Sequence, residues 1–229
     1  MNEAADREQT APLIAEIAEA IRVYAAGSVV RVGIDGVDGV GKTVFADMLA
    51  RAIASRGRPV IRASVDSFHN TREIRYRRGR TSPEGFYLDS YNYAELYRVL
   101  LDPLAPGGSR VYCPAIFDHT ANAPVAARWS TADPDAVLVF DGIFLHRPEL
   151  RSVWDLSLFL DAPFDITIPR GAGRGPGWGS ADVNAPSNRR YVEGQRLYLS
   201  ENKPKSRANI VIDYSDLAHP VIAAHRWPA

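Results

Sequence analysis

Residues 29–55 read VVRVGIDGVDGVGKTVFADMLARAIAS, an apolar run, a glycine-rich turn and a helical pattern in succession. Val29, Val30, Val32 and Ile34 form a short apolar run with the β-branched character of a buried strand. Gly36-Val37-Asp38-Gly39-Val40-Gly41-Lys42-Thr43 follows and satisfies the pattern GxxxxGK[ST]. Val44, Met48, Leu49, Ala52 and Ile53 then recur at helical spacing, and Gly57 ends the helix. Gly36, Gly39 and Gly41 let the backbone turn so that successive N–H groups face one anion, while the helix N-terminus adds its positive dipole end. Lys42 then reaches the β and γ phosphates of a nucleotide, and the Thr43 hydroxyl is placed to ligate Mg²⁺. Residues 36–44, with Val44 opening the helix, are therefore read as a nucleotide-binding segment.

Outward from this stretch, 229 residues suffice for one α/β domain with a substantial core, and 1–229 is read as a single domain. Lys plus Arg and Asp plus Glu are 27 each, so no basic field argues for nucleic acid or a membrane surface. Cys113 stands alone, which excludes a disulfide framework or a cysteine metal site within one chain. The N-terminal Glu3, Asp6 and Glu8 do not resemble a signal core, and no run of about 18 apolar residues occurs. A soluble, cytoplasmic protein is the expectation.

The apolar set Leu13, Ile14, Ile17, Ala18, Ile21 and Tyr24 predicts a helix over about 10–26, after a leader at 1–8. Strands are predicted at 59–65, 136–140, 156–160 and 209–212, with helices at 44–55, 92–101 and 187–200. This alternation implies a parallel sheet covered on both faces, with ligands at the carboxyl ends of its strands. Residues 171–180, GAGRGPGWGS, hold too much glycine for a stable helix or a central strand. They are read as a flexible excursion over the site, a lid of about 170–190 that is poorly ordered or open until nucleotide arrives.

Two carboxylates follow predicted strands. Asp66, in Val65-Asp66-Ser67-Phe68-His69, is placed to accept a proton from an attacking hydroxyl or to hold Mg²⁺ through water; the alternative is a helix N-cap. Asp141 directly follows the apolar run 136–140 and reads as a second Mg²⁺ contact; the alternative is a turn-forming Asp-Gly. Phe117 offers a flat face to a base or sugar, and Asp118 and His119 offer hydrogen bonds, although an ordinary loop has the same composition. Arg72, Arg75, Arg77, Arg78 and Arg80 cluster after Asp66, and Arg170, Arg174, Arg189 and Arg190 flank the glycine-rich stretch. Guanidinium forks suit phosphate oxygens, while a solvated face is the plainer use of the first group. No zinc spacing, GxSxG or NKxD motif is present.

Taken together, GVDGVGKT, VDSFH at 65–69, SPEGFYLDSYNYAEL at 82–96, PAIFDH at 114–119, VFDGIFL at 139–145, RRYVEGQRLYL and ANIVIDYSD resemble the uridine kinase and phosphoribulokinase group of phosphate-loop kinases. The resemblance covers about 32–216. It implies a P-loop NTPase fold in three layers, α/β/α, with a five-stranded parallel sheet and a small lid insert. It further implies transfer of the ATP γ-phosphoryl group, with Mg²⁺, to a primary hydroxyl, typically the 5′-hydroxyl of a nucleoside. Lys42 and Thr43 match the family's phosphate and Mg²⁺ contacts, Asp66 its catalytic base, and Arg174 a lid arginine. Phe117 and Asp118 match its nucleoside-meeting pair, and Gln195 falls in a segment beside the acceptor pocket. Phe68, His69, Tyr87, Asp89, His119 and Arg170 are grouped with that acceptor side, and Thr43, Asp66 and Asp141 with the metal. Three departures bear on the acceptor: Asp141 where Glu is common, Arg174 followed by Gly175-Pro176-Gly177, and Asn92 where an acid is frequent. The acceptor is accordingly a nucleoside or another small hydroxylated molecule, such as a nucleoside-like natural product, pantothenate, nicotinamide riboside or a sugar phosphate. A homo-oligomer is compatible with this reading. The rival is a nucleotide-dependent switch, against which Asp66, Phe117-Asp118 and the arginines argue.

Overall fold

The computed structural model describes residues 3–175 and 178–227, with residues 3–8 as backbone only. Helix α1 (Glu3–Val23) leads into β1 (Val30–Gly36), the phosphate loop, α2 (Lys42–Ala54) and β2 (Val60–Ser64). A 3₁₀ turn (Val65–Phe68) carries Asp66, and short helices α3 (Arg72–Arg75), α4 (Pro83–Asp89) and α5 (Tyr93–Leu96) follow, the last running on as a π-helical turn over Tyr97–Leu101. Two-residue strands β3 (Val111–Tyr112) and β6 (Ser130–Thr131) pair, as do β4 (Phe117–Asp118) and β5 (Ala123–Pro124). The chain returns through β7 (Val137–Asp141), β8 (Leu156–Asp161), α6 (Phe164–Ala172), α7 (Arg189–Asn202), α8 (Pro204–Arg207), β9 (Ile210–Asp213) and β10 (Val221–His225).

The main sheet has the order β10-β9-β8-β1-β7-β2, with the pairs from β9 to β2 parallel and β10 antiparallel to β9. It is six-stranded and mixed, not the five-stranded parallel sheet expected. β10 alternates exposed and half-buried residues, so it lacks the apolar run that betrays a central strand. Successive β1 residues face opposite sides. Val30, Val32 and Ile34 pack with Ile17 and Ile21 of α1 and Phe45, Leu49 and Ile53 of α2. Leu138 and Phe140 of β7 face a second core holding Phe68, Phe86, Leu96, Phe144 and Tyr198. Gly33 belongs to that second side: a Cβ there would lie 2.7 Å from the Trp154 ring, so its absence lets the indole press against the strand and stack on Phe140.

Element boundaries depart from the sequence pattern at three places. α1 begins at Glu3, not near residue 10. The helix expected at 92–101 divides into α5 and the π turn. Gly171 and Ala172, expected outside any helix, end α6. Pro176 and Gly177 of the expected lid lie outside the described residues.

Candidate active site

The loop after β1 turns through positive φ at Gly36, Gly39 and Gly41, of 156°, 78° and 112°. Gly39 is required twice over, because a Cβ would stand 2.1 Å from the Thr167 carbonyl oxygen of α6. Lys42 Nζ donates to Val37 O at 2.9 Å, folding the lysine across the loop. Thr43 Oγ1 donates to Asp141 Oδ2 at 2.8 Å, and Arg62 Nη2 stands 2.8 Å from Asp141 Oδ1, an ionic contact outside hydrogen-bond alignment. Asp141 is only 2% exposed, so the guanidinium balances a charge that burial would otherwise make costly. A hydroxyl and a carboxylate paired at this spacing suit Mg²⁺, a hard cation that takes few protein oxygens and keeps several waters. Asp66, grouped with them on sequence, sits instead on the wall of a cavity. Among the described residues no cluster of three His, Cys, Asp or Glu side chains could hold a metal.

Beneath the loop lies a network that the sequence did not announce. Asp35 Oδ1 accepts from Gly36 N at 2.7 Å, and Asp35 Oδ2 accepts from His146 Nδ1 at 2.7 Å and from the Tyr198 hydroxyl. Burial and then the Asp35 charge push the Tyr198 hydroxyl well above its ordinary range, so it remains a donor. Asp35 reads locally as one more strand residue, and only the β1–α7 contact reveals its role.

A cavity of about 470 Å³ opens beside the loop, lined among others by Asp38, Gly39, Asp66, His69, Tyr91, His119, Trp178 and Tyr191. Asp66 follows β2, and Ser64, not Asp66, caps its turn, the Ser64 hydroxyl accepting from Asp66 N at 3.4 Å. The Asp66 side chain is 59% exposed. Tyr91 Oη donates to Asp66 Oδ1 at 3.2 Å; burial and then Asp66 raise the Tyr91 hydroxyl well above its ordinary range. His69 Nδ1 lies 2.9 Å from the Asp66 carbonyl oxygen. A carbonyl only accepts, so Nδ1 carries the proton and Nε2 is left as an acceptor. Burial holds His69 below its ordinary value against the pull of Asp66. The His69 ring lies between those of Tyr91, at 4.6 Å, and His119, at 5.1 Å.

Several residues read as acceptor contacts are engaged elsewhere. Phe68 is wholly buried against Phe140. Tyr87 is buried, its hydroxyl accepting from Asn202 Nδ2 at 2.6 Å and Arg147 lying over its ring. Asp89 is clamped by Arg77 and Arg78, which bind its two oxygens. Phe117 is buried, and the Asp118 carboxylate accepts from the N–H groups of Thr120 and Ala121; of this triplet, His119 alone lines the cavity. Arg170 donates to the Tyr214 and Ser215 carbonyls, and Arg190 to those of Arg75, Gly79 and Ser82. Gln195 is buried under the loop, its Oε1 accepting from Asp38 N at 2.6 Å. Arg174 is exposed and lies over the Trp178 ring at 5.1 Å. Arg75, read only as one of an arginine cluster, also lines the cavity, and so do Tyr76, Tyr91 and Tyr191, which the sequence did not single out as site residues.

The sequence pattern of the Phosphoribulokinase / Uridine kinase family matches residues 31–174. A uridine kinase of Schizosaccharomyces pombe is 25% identical over 193 residues, which are 78% of this chain but 41% of that relative's length. Among solved structures, a possible uridine kinase from Bacillus stearothermophilus superposes with a TM-score of 0.67 at 24% identity, covering 91% of this chain and 98% of the other. The phosphoribulokinase from Rhodobacter spheroides gives a TM-score of 0.55 at 14% identity, over 84% and 75%.

Proposed function

The chain belongs to the phosphoribulokinase/uridine kinase family of phosphate-loop kinases, and from that premise we propose that it transfers the γ-phosphoryl group of ATP to a hydroxyl of a small acceptor, the 5′-hydroxyl of a pyrimidine nucleoside. The observation that carries this reading is the position of Asp66. An exposed carboxylate lines the same cavity as Asp38 and Gly39 of the phosphate loop, with Tyr91 holding one oxygen. The acceptor hydroxyl docks against Asp66, which orients it and takes its proton as the new O–P bond forms and the bond from the γ phosphorus to the bridging oxygen breaks, ADP leaving. Loop N–H groups and Lys42 meet the charge on the transferring group, and Lys42 exchanges its bond to Val37 for the phosphate oxygens. Thr43 and Asp141 would hold Mg²⁺, which would supply charge neutralisation to the transferring phosphate. Arg174, released from Trp178, adds a lid cation and helps to exclude water.

The test is ADP release with ATP across a panel of hydroxylated acceptors: uridine, cytidine, nicotinamide riboside, pantothenate and sugar phosphates. Stimulation by a pyrimidine nucleoside is expected. No stimulation by any acceptor, while ATP binds normally, defeats the kinase reading. Hydrolysis without acceptor at the rate of the best acceptor would favour a nucleotide-dependent switch.

A further inference from the structure

Asp38 is the one acidic residue of the phosphate loop at 36–43, and its charge opposes that of the triphosphate the loop is built to cradle. Its backbone N–H is turned away, donated to Gln195 Oε1 at 2.6 Å, while its side chain lines the cavity that Asp66 also lines. Lys42 Nζ donates to the Val37 carbonyl and makes no ion pair with Asp38 among the described residues, although its charge still pulls on that carboxyl. Among the described residues the half-buried Asp38 carboxylate accepts no hydrogen bond. Burial pushes its carboxyl up, and Asp66 adds to that push against Lys42 and Arg174. A half-buried carboxylate on a cavity wall, with no donor from the protein, is open to a donor that a ligand in that cavity brings.

We propose that Asp38 is a specificity-determining residue of the acceptor site: its carboxylate accepts a hydrogen bond from a second hydroxyl of the acceptor, the neighbour of the one that is phosphorylated. This rests on the kinase reading above and narrows its acceptor class. Two carboxylates on one cavity wall suit a polyol such as a sugar or ribonucleoside, one hydroxyl to each. They repel an acceptor bearing an anion at the same place. Asp38 performs no chemistry: the second hydroxyl keeps its proton, and the bond holds the sugar so that the reacting oxygen meets Asp66. In a ribonucleoside phosphorylated at its 5′ position, the nearest second hydroxyl is the 3′.

Uridine and 3′-deoxyuridine are the probes, with wild type, Asp38→Ala and Asp38→Asn; if a different diol of the acceptor panel is the substrate, it and its monodeoxy analogue replace them. Wild type should lose about 10- to 100-fold in kcat/KM on the deoxy acceptor, the scale of a hydrogen bond to a charged group. Asp38→Ala should lose a similar factor on uridine and nothing further on 3′-deoxyuridine, with KM for ATP no higher. Asp38→Asn, which keeps an accepting oxygen without the charge, should recover part of the loss. Equal losses on both acceptors, or a loss expressed only in KM for ATP, overturn the inference while leaving the kinase reading intact. A wild type that phosphorylates no acceptor removes that reading and the inference with it.

Discussion

At the scale of single residues, the cavity beside the phosphate loop depends on how a few groups are held. Tyr91 makes the one side-chain hydrogen bond to the Asp66 carboxylate among the described residues. Tyr91→Phe should therefore lower kcat about 10-fold, the worth of one such bond, and leave KM for ATP unchanged in steady-state kinetics. His69 gives a pH signature. Its folded value is held below the ordinary 6.5 by burial, so the unfolded chain binds the proton more readily. Stability from this group is complete above 6.5 and is lost as pH falls from there through the lowered folded value. Thermal melts at about pH 7 and about pH 5 should differ less in His69→Gln than in wild type. The glycines separate strain from collision. Gly57→Ala meets nothing within 4 Å and pays only for its φ of 91°, about 1–2 kcal/mol. Gly39→Ala pays that and a collision with the Thr167 carbonyl, so urea denaturation should show the larger loss there.

At the scale of elements, the segment after α6 is better tied than its composition suggests. Asn188 donates to the Ser180 and Asp182 carbonyls and accepts from Ser180 N, while the Trp178 ring packs where a Gly171 Cβ would stand. Since Arg174 lies over that ring and within electrostatic reach of Asp38, its recruitment by a phosphate should alter the indole's surroundings. The fluorescence difference between wild type and Trp178→Phe should change on adding a non-hydrolysable ATP analogue with acceptor; a flat difference would remove the lid role. These elements also show what was legible in the sequence. Strands β1, β7 and β8 were readable because both their faces are buried, which writes a continuous apolar run. α6 was not, because Ile166, Thr167, Ile168 and Pro169 disfavour a helix that packing nevertheless enforces. The placement of Asp66 just past β2 was legible from the apolar run before it, whereas the placement of Asp38 on the cavity wall was not, because the motif that contains it reads only as a phosphate cradle. Charge alone could not tell an arginine facing a ligand from Arg170 or Arg190, which satisfy carbonyls, or from Arg77 and Arg78, which clamp Asp89.

At the scale of the whole molecule, the strand order explains why residues far apart in sequence meet. β1 lies between β7 and β8, with β2 beyond β7, so the carboxyl ends of β1, β7 and β2 deliver the phosphate loop, Asp141 and Asp66 to one end of the sheet. Parallel strands make this inevitable, since each begins its return loop on the same edge. α7 closes the arrangement from one face, supporting the loop through Gln195 and Tyr198. Among the described residues no helix is long and apolar enough to cross a membrane. On the proposed function, this edge brings a general base to a hydroxyl beside a bound triphosphate. Asp66→Asn tests it most directly, by measuring turnover with the best acceptor alongside ATP affinity. A fall in kcat of about 10²–10⁴-fold, the scale of a general base, is expected, with ATP binding retained. Unchanged turnover in that variant would contradict it.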